Sequence, residues 1–148
     1  MHARSLKLAA LQRMLAPPQV FGDPEGDLLV VGWGGTQGAI EESVQRLRAE
    51  GHKVSSLHLN FLQPMPGGIK EILQRFKQVL TVEGNWSDRP EDPLIDDSNR
   101  RYAALAMLLR SRYLVDVDCW TEVRGRSIKP GSICAELRKR LAREEFRR

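Results

Sequence analysis

Residues 27–51, DLLVVGWGGTQGAIEESVQRLRAEG, decide the fold class of this chain. Residues 28–31 form a short continuous apolar run, which is typical of a strand covered on both faces. A glycine-rich turn follows. The apolar residues after it recur at helical spacing up to Gly51, which can end the helix in a left-handed conformation. A buried strand, a tight turn and an amphipathic helix in succession predict an α/β fold.

The rest of the chain continues to alternate between strand and helix signals. Further strands are predicted at residues 54–59, 78–82 and 115–123, and further helices at 69–76, 103–109 and from 133 onward. This alternation predicts βαβ units and a mostly parallel sheet. Residues 103–109, AALAMLL, are apolar almost all round, so we expect that helix to be well buried.

Two segments stand apart from this pattern. Residues 4–15 have an apolar helical face that two prolines terminate, so residues 1–26 are predicted to be an amino-terminal helix and a linker. Residues 27–148 are predicted to form the α/β domain. Within it, residues 86–99, WSDRPEDPLIDDSN, hold five acids and two prolines, which is typical of a mobile surface insertion.

Composition excludes several classes of protein. A length of 148 residues suits one domain, and no apolar run approaches the roughly 20 residues of a membrane span. The first residues lack a small-residue cleavage site, so we expect a cytoplasmic protein with no membrane partner. Cys119 and Cys134 are expected to be buried reduced thiols, and two cysteines are too few for an iron–sulfur cluster, which needs about four.

The charge is distributed unevenly along the chain. Residues 1–99 carry 10 basic and 13 acidic groups, whereas residues 100–148 carry 13 basic and 6 acidic groups. The cations of the last helix are Arg138, Lys139, Arg140, Arg143, Arg147 and Arg148. They indicate a nucleic-acid patch, a solvated helix end or a contact with an acidic partner. Phe146 is the only aromatic residue there, which disfavours nucleic acid.

The glycine turn has two interpretations. It joins a strand to a helix, where backbone N–H groups can hold a phosphate, and its glycines include Gly32, Gly34 and Gly38. The dinucleotide fingerprint G-x-G-x-x-G does not fit, because the spacing is one residue too long, and Trp33 would crowd a pyrophosphate. The favoured interpretation is a tight strand-to-helix turn with Thr36 as a possible N-cap.

Polar residues follow the strand predicted at 78–82. Glu83 is a candidate for a buried carboxylate in a site, for a partner of an arginine across an interface, or for a cap that organises the turn with Asn85. These alternatives stay open. His52 and His58 are too far in sequence from other ligand types to indicate a metal site, and a catalytic histidine is a minor alternative.

Three motifs together resemble a known family. They are the GWG turn at 32–34, the segment LHLNFLQP at 57–64, and KQVLTVEGN at 77–85, which LAMLLRSRYLVDV follows. From about residue 7 to 133 the chain resembles the carboxy-terminal domain of the alpha subunit of 2-oxoacid:ferredoxin oxidoreductases, the 2-oxoglutarate type in particular. The family usually has Gly-Gln where this chain has Ala103 and Ala104, and the insertion at 86–99 is extra.

The resemblance implies a transketolase C-terminal-like domain, which is a three-layer αβα sandwich around a mostly parallel five-stranded sheet. It also implies an enzyme that decarboxylates a 2-oxoacid on thiamine diphosphate and passes electrons through an iron–sulfur cluster to ferredoxin, giving an acyl-CoA. In the family, the segments that bind these cofactors belong to other domains and subunits. The expected partners are therefore the beta subunit, the remaining alpha-subunit domain and ferredoxin.

We accordingly expect no catalytic, cofactor-binding or metal residue in this chain, and no activity of the chain alone. The expected function is that of an assembly domain whose strand ends face a partner. The candidates for that interface are Gly32, Trp33, Gly34, Gly38, Pro64, Glu83 and Asn85. The alternative is a small anion- or nucleotide-binding module that uses the turn at 32–38.

Overall fold

The computed structural model describes residues 1–145, in which strands and helices alternate along the chain. The strands are β1 (Val20–Phe21), β2 (Gly26–Trp33), β3 (Val54–Leu59), β4 (Phe76–Glu83) and β5 (Asp118–Thr121). The helices are α1 (His2–Met14), α2 (Gln37–Ala49), α3 (Ile69–Leu73), α4 (Ala104–Tyr113) and α5 (Pro130–Glu145), with a 3-10 helix at Gly34–Thr36. None of these helices, over the described residues, is long and apolar enough to cross a membrane.

The strands form one sheet in the order β1-β3-β2-β4-β5. β2, β3, β4 and β5 run parallel, and β1 pairs antiparallel with β3. The sheet is therefore five-stranded and mostly parallel, as the family resemblance implied. β1 lies inside the segment predicted as linker, because two residues are too few to give a periodic signal. β5 is shorter than the predicted strand at 115–123.

Both faces of the sheet are covered, which gives three layers. Along β2, Leu29 and Val31 face one core together with residues of α3 and α4, and Leu28 and Val30 face a second core together with residues of α2 and α5. Successive side chains of a strand point to opposite faces, so a strand buried on both sides needs a continuous apolar run. This explains why residues 28–31 are all apolar and all buried.

α4 covers one face of the sheet with only part of its own surface. Leu105, Ala106 and Leu109 are buried against the sheet, but Met107 is 56% exposed and Leu108 is 36% exposed. The prediction that this helix is well buried is therefore wrong for its outer side. A helix in an outer layer has neighbours on one side only, so apolar residues on its other side remain uncovered within the described chain.

The insertion at 86–99 makes hydrogen bonds at both ends. Asp88 is buried and pairs with the exposed Arg101, whose Nη2 and Nε lie 2.8 and 3.0 Å from its carboxylate oxygens. The side chain and the backbone N–H of Arg101 lower the pKa of Asp88 to about 2. Further along, Oδ1 of Asp96 accepts the N–H of Ser98 at 2.8 Å. The mobility of this insertion stays a prediction.

Side chains occupy the outer edge of β5. The N–H of Cys119 donates to Oδ1 of Asp118 at 2.8 Å, and its carbonyl lies 3.5 Å from Nη2 of Arg100. The carbonyl of Val117, just before the strand, accepts Nη1 of Arg110 at 2.9 Å. These three backbone groups are therefore already hydrogen-bonded within the domain.

Candidate functional site at the strand ends

The carboxyl ends of the parallel strands meet at one edge of the domain, where open α/β sheets commonly place functional groups. Trp33 is the last residue of β2 and pairs in register with Leu59 of β3. Glu83 is the last residue of β4 and pairs in register with Thr121 of β5. Pro64 is buried in the segment that follows β3. The structure thus places the sequence-predicted candidates at or just after strand ends.

Gly32 is required by packing between the sheet and α2. A Cβ atom at this position would lie 2.3 Å from Cδ1 of Ile40 and 2.7 Å from Oγ1 of Thr36. Both distances are far below ordinary van der Waals contact. The absence of a side chain at Gly32 therefore allows α2 to pack closely on the end of β2.

The other glycines of the turn have different roles. Gly34 has a φ of +62°, a conformation that glycine adopts without strain. Around Gly35 and Gly38, no atom lies within 4 Å of where a Cβ would stand, so sterics do not require glycine there. The backbone of the turn is exposed over these residues.

Thr36 does not act as the predicted N-cap of α2. Its Oγ1 donates a hydrogen bond to the carbonyl of Trp33 at 3.0 Å and makes no cap hydrogen bond to the helix. The 3-10 helix at Gly34–Thr36 already has Thr36 in a helical conformation, and an N-cap needs an extended one. Thr36 therefore closes the turn beneath Trp33, whose side chain is 41% exposed.

The carboxylate of Glu83 is saturated by hydrogen bonds from its own chain. Oε1 accepts the hydroxyl of Thr81 at 2.7 Å and the N–H of Ala106 at 3.1 Å. Oε2 accepts the N–H of Leu105 at 2.8 Å and Nδ2 of Asn85 at 2.7 Å. The residue is only 1% exposed. Glu83 is therefore placed to satisfy free N–H groups of the α4 amino terminus, where a negative charge also suits the helix dipole.

Asn85 completes this arrangement from the outside. While its Nδ2 donates to Glu83, its Oδ1 accepts the N–H of Ala104 at 3.2 Å. Two polar residues at the end of β4 thus satisfy three consecutive N–H groups of α4. A change at the buried Glu83 would therefore reach a neighbouring surface by shifting α4.

The cofactors that the resemblance implies include an iron–sulfur cluster, which would need Cys, His, Asp or Glu side chains as ligands. Cys119 in β5 and Cys134 in α5 are both free and buried, and two thiols supply half of the roughly four ligands of an iron–sulfur cluster. Within residues 1–145, no group of three or more His, Cys, Asp and Glu side chains is arranged to hold a metal ion. The residues present do not fit a cluster or the cation that accompanies a diphosphate.

His58 has an incomplete set of contacts. It lies in β3 in register with Gly32, and its buried Nδ1 has no hydrogen-bond partner within the described structure. His52 is half-buried between α2 and β3. Neither histidine lies in a cluster of metal-binding side chains.

The basic carboxy-terminal helix is partly neutralised by ion pairs. Nε of Arg138 lies 3.1 Å from Oε2 of Glu50, the residue that follows α2. Arg140 pairs with Asp118 of β5 and, at 2.8 Å, with Glu136. Burial raises the pKa of Asp118, but Arg140, the Cys119 N–H and Arg100 together outweigh this and leave the pKa below its ordinary value. These contacts hold α5 on the sheet. Of the other predicted members, Lys139 and Arg143 are exposed, and Arg147 and Arg148, like Phe146, lie outside the described residues.

Sequence analysis missed an exposed apolar surface beside this edge. Trp86 is 65% exposed and follows directly after Asn85, and Met107 and Leu108 of α4 are exposed nearby. The available signal was a tryptophan at the start of an otherwise polar insertion.

Comparison with known proteins places this geometry in a family. Residues 26–133 match the family model described as pyruvate:ferredoxin oxidoreductase core domain II. The chain belongs to this family. It is 34% identical over 139 residues to the 2-oxoglutarate oxidoreductase subunit KorA of Mycobacterium tuberculosis, which covers 93% of this chain and 19% of that subunit. Over 69 residues it is 38% identical to the alpha subunit of 2-oxoacid:ferredoxin oxidoreductase 1 of Aeropyrum pernix, covering 45% of this chain and 11% of that subunit.

This core domain II chain therefore spans about a fifth or less of the length of those curated relatives. The predicted resemblance to alpha subunits of 2-oxoacid:ferredoxin oxidoreductases is confirmed.

Solved structures confirm the fold. The 2-oxoglutarate:ferredoxin oxidoreductase of Magnetococcus marinus, with 2-oxoglutarate, coenzyme A and succinyl-CoA bound, aligns with a TM-score of 0.68 at 21% identity, covering 88% of this chain and 21% of that chain. A split-gene transketolase, described as an inactive beta4 tetramer, aligns with a TM-score of 0.53 at 19% identity, covering 84% of this chain and 42% of that chain. At such identities the likeness shows the fold, which is the predicted transketolase C-terminal-like sandwich.

Proposed function

We propose that this core domain II chain is an assembly domain of the alpha subunit of a thiamine diphosphate-dependent 2-oxoacid:ferredoxin oxidoreductase, acting on 2-oxoglutarate or pyruvate. Family membership and the match to a 2-oxoglutarate oxidoreductase subunit support this assignment. The structural observation that carries it is Trp33, a large side chain left 41% exposed at the end of a buried strand.

The backbone that carries Trp33 is held by packing on both sides of it in the chain. Residues 28–31 of β2 are at most 1% exposed, and Thr36 and Ile40 close over the turn that follows. The indole is therefore presented by a fixed backbone, and little conformational entropy is lost when a partner covers it. Tryptophan is enriched among the residues that dominate interface energetics, and preorganised anchors bind most efficiently.

The proposal assigns the reactive groups to other parts of the complex. Thiamine diphosphate, the iron–sulfur cluster and coenzyme A would bind the beta subunit and the remaining alpha-subunit domain, with ferredoxin as the electron acceptor. The expected location is the cytoplasm. The two buried thiols of this chain and the full use of the Glu83 carboxylate as a helix cap are consistent with this division.

Co-purification tests the proposal. The chain is expressed together with the remaining alpha-subunit domain and the beta subunit encoded in the same genome, and the assembled complex is recovered through a tag on the beta subunit. We expect the complex to form and oxidise 2-oxoglutarate or pyruvate with ferredoxin, and Trp33→Ala to lower recovery of this chain at least about tenfold.

Leu114→Ala is the matched control. Leu114 is 87% exposed and lies at the carboxyl end of α4, about 15 Å along the helix from the strand-end edge. We expect it to leave recovery unchanged. A complex that retains Trp33→Ala chains at full yield and full activity would show that the strand-end interface is wrong.

The anion-binding alternative has one observation in its favour, the open space around Gly34, Gly35 and Gly38. Calorimetric titration of the chain with thiamine diphosphate, coenzyme A and nucleotides separates the two functions. Binding in the micromolar range would replace the assembly proposal with the ligand-binding one. We expect no such binding, since the glycine spacing of the turn does not match the dinucleotide fingerprint.

A further inference from the structure

The insertion at 86–99 has an exposed leucine between two pairs of acidic residues. Leu94 is 86% exposed, and the sequence places Glu91 and Asp92 before it and Asp96 and Asp97 after it. The carbonyl of Leu94 accepts Nδ2 of Asn99 at 2.8 Å. This contact and those around Asp96 are local hydrogen bonds within the segment. We refer to residues 91–97 as the acidic tip.

A groove of about 640 Å³ lies on the outer side of α4. Trp86, Met107 and Leu108 provide its exposed apolar surface, and Asn85, Tyr102, Ala104 and Ser111 line the rest. We refer to this feature as the α4 groove. None of its lining residues is acidic.

Three arginines adjoin residues that line the α4 groove, and one of them, Arg110, is already paired with Asp116. The Arg110 guanidinium lies 4.3 Å from the centroid of the Tyr102 ring, which forms one wall. Arg101 and Arg112 flank Tyr102 and Ser111 in the chain, and both are exposed. Even while it pairs with Asp88, the Arg101 side chain is 77% exposed. The groove is thus a shallow apolar surface flanked by arginines, of which the exposed Arg112 and Arg101 complement the acidic tip in charge.

We infer that two copies of this chain associate by placing the acidic tip of one copy in the α4 groove of the other. Every copy carries both halves of the contact, so a two-fold arrangement makes the contact twice and closes the assembly. Each of the two contacts buries Leu94 of one copy together with Trp86 of the other. Both side chains are exposed to water in the single chain.

The structure favours a contact between copies over one within the chain. The tip is joined to Trp86 by only a few residues, and within residues 1–145 its Leu94 stays 86% exposed while no residue of the tip lines the groove. This inference is independent of the proposed function, since it uses neither Trp33 nor any partner subunit.

Sedimentation velocity of the full chain tests the inference. We expect a concentration-dependent equilibrium between the 16.8 kDa monomer and a dimer that weakens with added salt. Leu94→Asp should weaken the dimer at least about tenfold, because it places a charge in the apolar groove. Met107→Glu should do the same from the other side.

Leu114→Asp is the matched control, because Leu114 is exposed to the same degree as Leu94, at 87% against 86%. It should leave the dimer unchanged, and circular dichroism should show all variants folded. Arg112→Glu should weaken the dimer, and adding Asp97→Arg in the same chain should restore part of the loss.

Cross-linking identifies the surfaces in contact. A chain with Asp97→Cys mixed with a chain carrying Ser111→Cys should form a disulfide-linked heterodimer under mild oxidation. A monomer at all concentrations would overturn the inference. A dimer that is insensitive to Leu94→Asp, or one lost equally in the Leu114→Asp control, would also overturn it.

Discussion

The carboxylate of Glu83 at the end of β4 accepts the N–H of Leu105 at 2.8 Å, so the sheet and the first turn of α4 are joined by a buried charge. Free N–H groups at a helix amino terminus are normally capped by a nearby residue or by water. Here the cap comes from a residue 22 positions earlier in the chain. The orientation of α4, and of the groove on its outer side, therefore depends on Glu83.

Substitution of Glu83 should be strongly destabilising. Glu83→Ala leaves the N–H groups of Leu105 and Ala106 and the hydroxyl of Thr81 without their acceptor in a buried site, and should cost about 3–5 kcal/mol of unfolding free energy. Glu83→Gln keeps one acceptor oxygen and should cost about 1–3 kcal/mol. Urea unfolding followed by circular dichroism measures both values.

An exposed acid provides the comparison for these variants. Glu91→Ala removes the same type of side chain from the exposed insertion and should change the unfolding free energy by less than about 0.5 kcal/mol. If Glu83→Ala were as stable as Glu91→Ala, the buried cap would not have the structural importance given to it here.

The glycines of the turn should differ sharply in their tolerance of a methyl group. Gly32→Ala should cost about 1–3 kcal/mol, because the new Cβ meets Cδ1 of Ile40 at 2.3 Å. Ile40→Val removes that atom and should recover part of the cost in the double variant. Gly38→Ala, which meets no atom within 4 Å in α2, should stabilise by about 0.5–1 kcal/mol. Thermal or urea unfolding of the two alanine variants, Ile40→Val and the double variant measures these changes. The expectation is contradicted if both alanine substitutions change the unfolding free energy in the same direction.

The pair between Asp88 and Arg101 should make stability depend on pH in the acid range. Hydrogen bonds from Arg101 lower the pKa of Asp88 from 3.8 to about 2 in the folded chain. A lowered folded-state pKa means that the stabilisation is complete above about pH 4 and is lost as the pH falls through about 2. The difference in urea midpoint between the wild-type chain and Asp88→Asn should therefore shrink over that window.

Asp97→Asn controls for the general effect of removing a charge from the insertion. The difference in urea midpoint between this variant and the wild-type chain should be small at every pH. An Asp88→Asn difference that stays constant from pH 5 down to about pH 2 would rule out the ion pair with Arg101 as its origin.

Two arginines of α5 offer a matched comparison of buried and exposed ion pairs. The Arg140 side chain is 12% exposed and contacts Asp118 and Glu136, whereas the Arg138 side chain is 49% exposed and contacts Glu50. Arg140→Met should cost about 2–4 kcal/mol, because it leaves a partly buried carboxylate without its main partner. Arg138→Met should cost about 0–1 kcal/mol. If the two substitutions lower the unfolding free energy equally, burial does not make the Arg140 ion pairs more important for stability than the Arg138 ion pair.

The sequence predicted those parts of the fold that local patterns determine. β2 was found because residues 28–31 form a continuous apolar run. β3 and β4 were found because segments of ordinary strand length stand between helix and turn signals. β1 was missed because two residues have no period, and the exposure of Met107 was missed because an all-apolar helix gives no sign of which side faces the sheet. These failures come from tertiary packing, which a local pattern does not contain.

The candidate site was predictable in position and only partly in role. Trp33 and Glu83 were placed at strand ends from the strand boundaries alone. The choice among roles for Glu83 could not be made, because its hydrogen-bond partners Leu105 and Ala106 lie far along the chain. Thr36 was assigned a cap because the 3-10 helix before α2 has no distinct sequence signal.

The occupied outer edge of β5 limits how this domain can multimerise. The N–H and carbonyl of Cys119 in β5 are already bound by Asp118 and Arg100, and Arg110 binds the Val117 carbonyl just before the strand. β1 at the opposite side has only two residues, between prolines. Neither border gives a neighbouring molecule a template for continuing the ladder of hydrogen bonds. Cross-β polymerisation through these borders is thereby disfavoured, and we expect contacts between chains to form through side-chain surfaces, where specificity is encoded by sequence.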